Sequence, residues 1–104
     1  MEIYCKNTAL LEKAVDYSRS LGIDHHNAVI NIKRLPPTMP QKGLVEFSKG
    51  DTEIDIYIKY DNERFMSLAH EMVHARQVLT GQPLDENEAY LLENTLDNDP
   101  QKRL

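Results

Sequence analysis

Cysteine is almost absent from this 104-residue sequence. The one thiol, Cys5, cannot close a disulfide within the chain, and near the terminus it reads as a half-buried hydrophobe rather than a nucleophile. Long hydrophobic runs are missing too. Glu2, Lys6, Glu12, Lys13 and Asp16 interrupt the first twenty residues, so no signal peptide is expected, and no later stretch is long enough to span a membrane. These absences lean towards the cytoplasm. An excess of basic residues is also lacking: the formal charge is −5 and the 12 lysines and arginines are scattered. A nucleic-acid partner would need them clustered to neutralise phosphates, so none is expected. What is present is an ordinary globular composition, 40% hydrophobic and 28% charged, without repeats or low-complexity tracts. It fits one compact domain over residues 1–104 with a small core.

Hydrophobic periodicity outlines an α+β domain. Asn7 or Thr8 can cap an N-terminal helix in which Leu10, Leu11, Ala14, Tyr17, Ser18 and Leu21 recur at helical steps, and Gly22 supplies a stop. Alternation from Asn27 to Leu35 predicts a strand ended by Pro36 and Pro37, followed by a loop to Gly43. Leu44 to Ser48 is a short strand candidate, and Lys49 to Thr52 is turn chemistry. Ile54, Ile56, Ile58 and Tyr60 then share one face of a clearer strand, giving a small three-stranded sheet whose last two members form a hairpin. Asp61 or Asn62 can cap a central helix that runs to Thr80-Gly81. Pro83 fits the first turn of a final helix carrying Ala89, Leu92 and Leu96 inward, before a polar tail from Asp97 to Leu104.

The chemistry is concentrated in His70-Glu71-Met72-Val73-His74, in the middle of the central helix. Residues four apart on a helix differ by only about 40° in direction, so the two imidazoles can share one ion. Glu71 is turned about 100° from His70, which suits a general base beside that ion rather than a ligand to it. The flanking Leu68, Ala69, Met72, Val73 and Ala75 are uncharged, so this helix should lie at the centre, where idle histidines would cost free energy. Zinc in a catalytic site takes three protein donors and keeps one position for water. Downstream there is no third histidine and no cysteine, so one of the carboxylates Asp85, Glu86, Glu88 and Glu93 must complete the set.

The run Leu68 to Gln77, followed by Glu86-Asn87-Glu88-Ala89-Tyr90, resembles the gluzincin group of zinc peptidases, and most nearly its smallest members, the minigluzincins. The resemblance implies an active-site helix, a glutamate helix and peptide hydrolysis by a metal-activated water with Glu71 as base. In the group's Glu-x-x-Ala pattern the ligand is the first glutamate. Ala89 meets that spacing from Glu86, making His70, His74 and Glu86 the implied zinc ligands. Glu88 has another occupation, since it can close a capping box with Asp85. Tyr90, where relatives carry an acid, is implied to support a ligating histidine or the substrate. Tyr90, Arg76 and the His25-His26 pair are the candidates for stabilising the oxyanion, although the histidine pair reads more readily as a solvated turn. By the same resemblance the polar tail is expected to shield the cleft and make the protein latent. Two alternatives are a non-catalytic zinc-stabilised binding module and a SprT-like peptidase acting on DNA-bound proteins. An intact base beside the ligands speaks against the first, and the missing third histidine and basic surface against the second.

Overall fold

Four strands, not three, form the sheet. The computed structural model describes residues 1–47 and 52–97. In chain order it runs β1 (Glu2–Cys5), α1 (Thr8–Ser20), β2 (Val29–Arg34), β3 (Gly43–Phe47), β4 (Glu53–Ile58), α2 (Arg64–Leu79) and α3 (Glu86–Asp97). The α+β class is as expected. The extra strand is β1, whose Ile3 and Cys5 pack against the core while Glu2 and Tyr4 face outward. It is too short to stand out as a strand by alternation, and exists because it pairs in parallel with β2, Ile3 opposite Ile30. The sheet order β1-β2-β4-β3 is mixed: β2 and β4 are parallel, and β3 closes one edge as the antiparallel partner of β4. That pairing is the expected hairpin. Its turn, with Ser48 to Asp51, lies outside the described residues.

One face of the sheet carries Ile30, Ile32, Ile54, Ile56 and Ile58 into the core, where they meet the inward faces of α1 and α2. At about 25 cal/mol per Å² of apolar surface, such burial is the main force holding helices to sheet. Helix α1 begins at Asn7, whose Oδ1 accepts the Leu10 N–H at 3.0 Å. It ends where Gly22, at φ 73°, lets Ile23 N–H bond back to the Ser18 carbonyl. Helix α2 ends the same way: Gly81 has φ 74°, and Gln82 N–H reaches the Gln77 carbonyl at 2.8 Å.

The start of α2 departs from expectation. Asp61 Oδ1 accepts the Glu63 N–H and forms a preceding turn, and the helix begins after Glu63 with no side-chain cap. Helix α3 begins at Glu86, not Pro83, because Asp85 Oδ1 accepts the N–H groups of Asn87 and Glu88 and so caps it. Asp97 is its last residue rather than the start of the tail, and the tail from 98 to 104 lies outside the described residues, as does its expected shielding role. Every residue from Ser67 to Ala75 is buried, so α2 is enclosed by α1, α3 and the β3–β4 side of the sheet. Among the described residues no helix is long and apolar enough to cross a membrane.

Candidate metal centre and its cleft

The enclosed helix brings His70, Glu71, His74 and Gln77 together as buried polar groups, which is costly unless each finds a partner. Three of them do. His70 Nδ1 lies 2.9 Å from Glu93 Oε2, and His74 Nδ1 lies 2.8 Å from Gln77 Oε1. A carboxylate can only accept, so His70 Nδ1 carries a proton. Gln77 Oε1 also accepts the Asp85 N–H at 3.0 Å, which fixes the amide's orientation and makes His74 Nδ1 a donor as well.

Both Nε2 atoms then point at one carboxylate. His70 Nε2 is 3.1 Å from Glu86 Oε2 and His74 Nε2 is 2.7 Å from Glu86 Oε1. If each imidazole has a single proton, on Nδ1, these contacts oppose lone pairs to carboxylate oxygens and require a cation between them. Two additional protons could supply the charge, and so could one divalent ion. The ligand atoms of His70, His74 and Glu86 all lie within 4.8 Å of one another. Two imidazole nitrogens and one carboxylate oxygen, with both histidines held by acceptors behind them, form a donor set that fits zinc and leaves it an open position.

The structure therefore brings the three expected ligands together. Glu86 is the first residue of α3 and its side chain is exposed, while the Glu88 carboxylate is turned to Gln77 Nε2 at 3.0 Å and Arg76 at 3.4 Å. Tyr90 lines the cleft and sets its ring against His70, centroids 4.7 Å apart, but the acid behind His70 is Glu93. Among the described residues the Tyr90 hydroxyl makes no hydrogen bond to either histidine. Arg76 is tied to Glu88 and does not line the cleft. His25 and His26 set their rings 4.9 Å apart and tilted by 37° in a turn, His25 exposed and His26 half-buried, also away from the cleft lining. Sequence reasoning missed Gln77, although its place three residues after His74 puts it on the same side of the helix. Glu93 stood only among the possible ligands.

Glu71 is 5% exposed and its carboxyl has no hydrogen-bond partner among the described residues. Burial pushes that carboxyl above its ordinary 4.5; charge on His70 and His74 would pull it down, and Glu86 and Glu93 push it further up. It lines an open cleft of about 480 Å³ between the β3 edge, at Gly43 to Val45, and the walls given by Met66, Leu84 and Tyr90. The carboxyl beside the histidines thus lies on the wall of an open cleft. Compared with known proteins, the chain matches no family model, no curated protein and no solved structure.

Proposed function

We propose that this protein is a zinc-dependent endopeptidase whose metal is held by His70, His74 and Glu86 and whose general base is Glu71. The observation that carries the reading is a division of labour among buried groups. The two histidines are oriented from behind and share Glu86, whereas Glu71, one residue from His70, has no hydrogen-bond partner among the described residues and lines the cleft. Zinc bound there would polarise the scissile carbonyl and lower the pKa of water to roughly 7. Glu71 takes the proton of the attacking water and returns it to the leaving amine. The β3 edge supports a peptide substrate, because an edge strand has free backbone N–H and C=O groups to which an extended chain can add.

The test measures zinc content and cleavage of an unfolded protein substrate together. Wild-type protein should bind one zinc and lose activity on chelation. Glu71→Gln should keep zinc while turnover falls by at least ~100-fold, the usual effect of losing a general base. Undiminished cleavage by Glu71→Gln sinks the catalytic assignment, and tight zinc binding by a wild-type protein that cleaves nothing favours a non-catalytic zinc module.

A further inference from the structure

Gln77 is 1% exposed, and both ends of its amide are in use. Oε1 accepts from His74 Nδ1 at 2.8 Å and from the Asp85 N–H at 3.0 Å. Nε2 donates to the Asp85 carbonyl at 3.1 Å and to Glu88 Oε1 at 3.0 Å. Four hydrogen bonds thus fill the acceptor and donor capacity of one side chain, and they run in two directions: one to a histidine on its own helix, three to the start of the next.

That second direction matters because of what Asp85 does. Its backbone is held at both N–H and C=O by Gln77, and its side chain caps α3 by accepting from Asn87 and Glu88. Glu86, the first helical residue after the cap, is the one whose carboxylate meets both imidazoles. Glu86 sits in the first turn, where helices fray, so the bonding of its neighbours bears on where its carboxylate arrives. Glu88 would be the competing carboxylate, and Gln77 together with Arg76 holds it away.

From these contacts we infer that Gln77 is a positioning residue that joins the second and third zinc ligands into one unit. Through Oε1 it keeps the His74 proton on Nδ1, leaving Nε2 for the metal. Through Asp85 it sets the starting point of α3, so that Glu86 rather than Glu88 arrives at the imidazoles. The inference rests on the proposed zinc site for its metal-binding consequence, while the mechanical part, Gln77 holding the α2–α3 connection, belongs to the metal-free protein as well.

Two measurements separate these parts. Zinc affinity is determined by chelator competition for wild type, Gln77→Ala, Glu86→Gln and the double variant. Amide hydrogen exchange is followed by NMR in the same metal-free proteins. Gln77→Ala should weaken zinc by about 10- to 100-fold, the usual effect of losing an outer partner of a ligand. In the double-variant cycle the combined loss should fall short of the product of the single losses by about tenfold or more, since removing Glu86 removes part of what Gln77 positions. The Asp85, Asn87 and Glu88 amides should exchange at least about tenfold faster in Gln77→Ala while those of Leu68 and Ala69 keep their rates, a pattern that general destabilisation would not give. Losses that multiply, an unchanged affinity, or faster exchange throughout the chain would overturn the inference. If wild type binds no zinc, the proposed function fails and the exchange data alone decide: unchanged exchange at Asp85 overturns the clamp. Should Gln77→Ala not fold, Gln77→Glu takes its place. It keeps both acceptor roles, gives up both donors and faces the Glu88 carboxylate, so it should show a smaller zinc loss with the same localised exchange. Wild-type behaviour in that variant counts against Gln77.

Discussion

Gly43 has no side chain, and the space that leaves is taken by Glu71. A Cβ there would stand 3.1 Å from both Cγ and Oε2 of Glu71 and 3.2 Å from the Tyr57 carbonyl oxygen. Its φ is not positive, so the glycine serves close approach rather than an unusual backbone. Gly43→Ala should therefore shift the Glu71 carboxylate by a few tenths of an ångström and lower turnover by about tenfold or more, given that a 1 Å misplacement can cost about 100-fold. Zinc affinity should stay near wild type, because neither histidine nor Glu86 is touched. Measuring kcat alongside zinc competition checks this, and wild-type kcat would show that the base has room to spare. At this scale much of the site was legible: helical spacing alone sets His70, Glu71 and His74 in relation to one another. Glu93 was not, because spacing cannot distinguish a carboxylate that faces Nε2 from one that faces Nδ1. Gln77 was missed because a glutamine on a helix ordinarily reads as solvated, and its partners lie in a connection that no periodicity describes.

Helices α1, α2 and α3 meet at one phenol. Tyr17 is fully buried, and its hydroxyl donates to Asp97 Oδ1 at 3.0 Å and lies 3.5 Å from the Phe65 carbonyl oxygen. Tyr17→Phe should cost about 1.5–3 kcal/mol, as for a hydrogen bond to a charged acceptor, and loosen the end of α3. Burial, and then the negative charge of Asp97, holds this phenol well above its ordinary 10.0. A group whose proton is held more tightly in the fold stabilises fully below its unfolded value, here about 10, and loses that contribution as pH rises through the folded one. Urea unfolding should thus show wild-type stability falling as pH rises above about 10, with a shallower fall in Tyr17→Phe; equal slopes would remove Tyr17 as the cause. Elements were legible where apolar residues repeat several times, as in α1, β4 and α2. They were not where tertiary partners decide. β1 depends on pairing with β2, and the start of α3 depends on which of several polar residues wins the cap, a contest Asp85 wins through its bond to Asn87.

As a whole, the molecule should fold without the proposed zinc. Leu10, Tyr17, Ile30, Ile54, Ile56, Leu68 and Met72 form one core drawn from two helices and two strands, and no metal ligand is needed to assemble it. Zinc at about 100 times its dissociation constant should then add about 2.7 kcal/mol, raising Tm by roughly 10–20 °C for a chain of this size. Calorimetry with and without a chelator should give two cooperative transitions separated by that interval. A chelated protein that shows no transition would mean that the metal completes the core. The two histidines stand on a helix buried along most of its length, but α3 buries only Ala89 and Leu96. The candidate site is consequently divided between an enclosed helix and a more exposed one that the Gln77 and Tyr17 hydrogen bonds tie to its neighbours. Under the proposed zinc site, grafting a different twelve-residue segment in place of α3 would exchange the proposed third donor and one wall of the cleft in a single step, so that ligand set and cleft shape would travel together as one cassette.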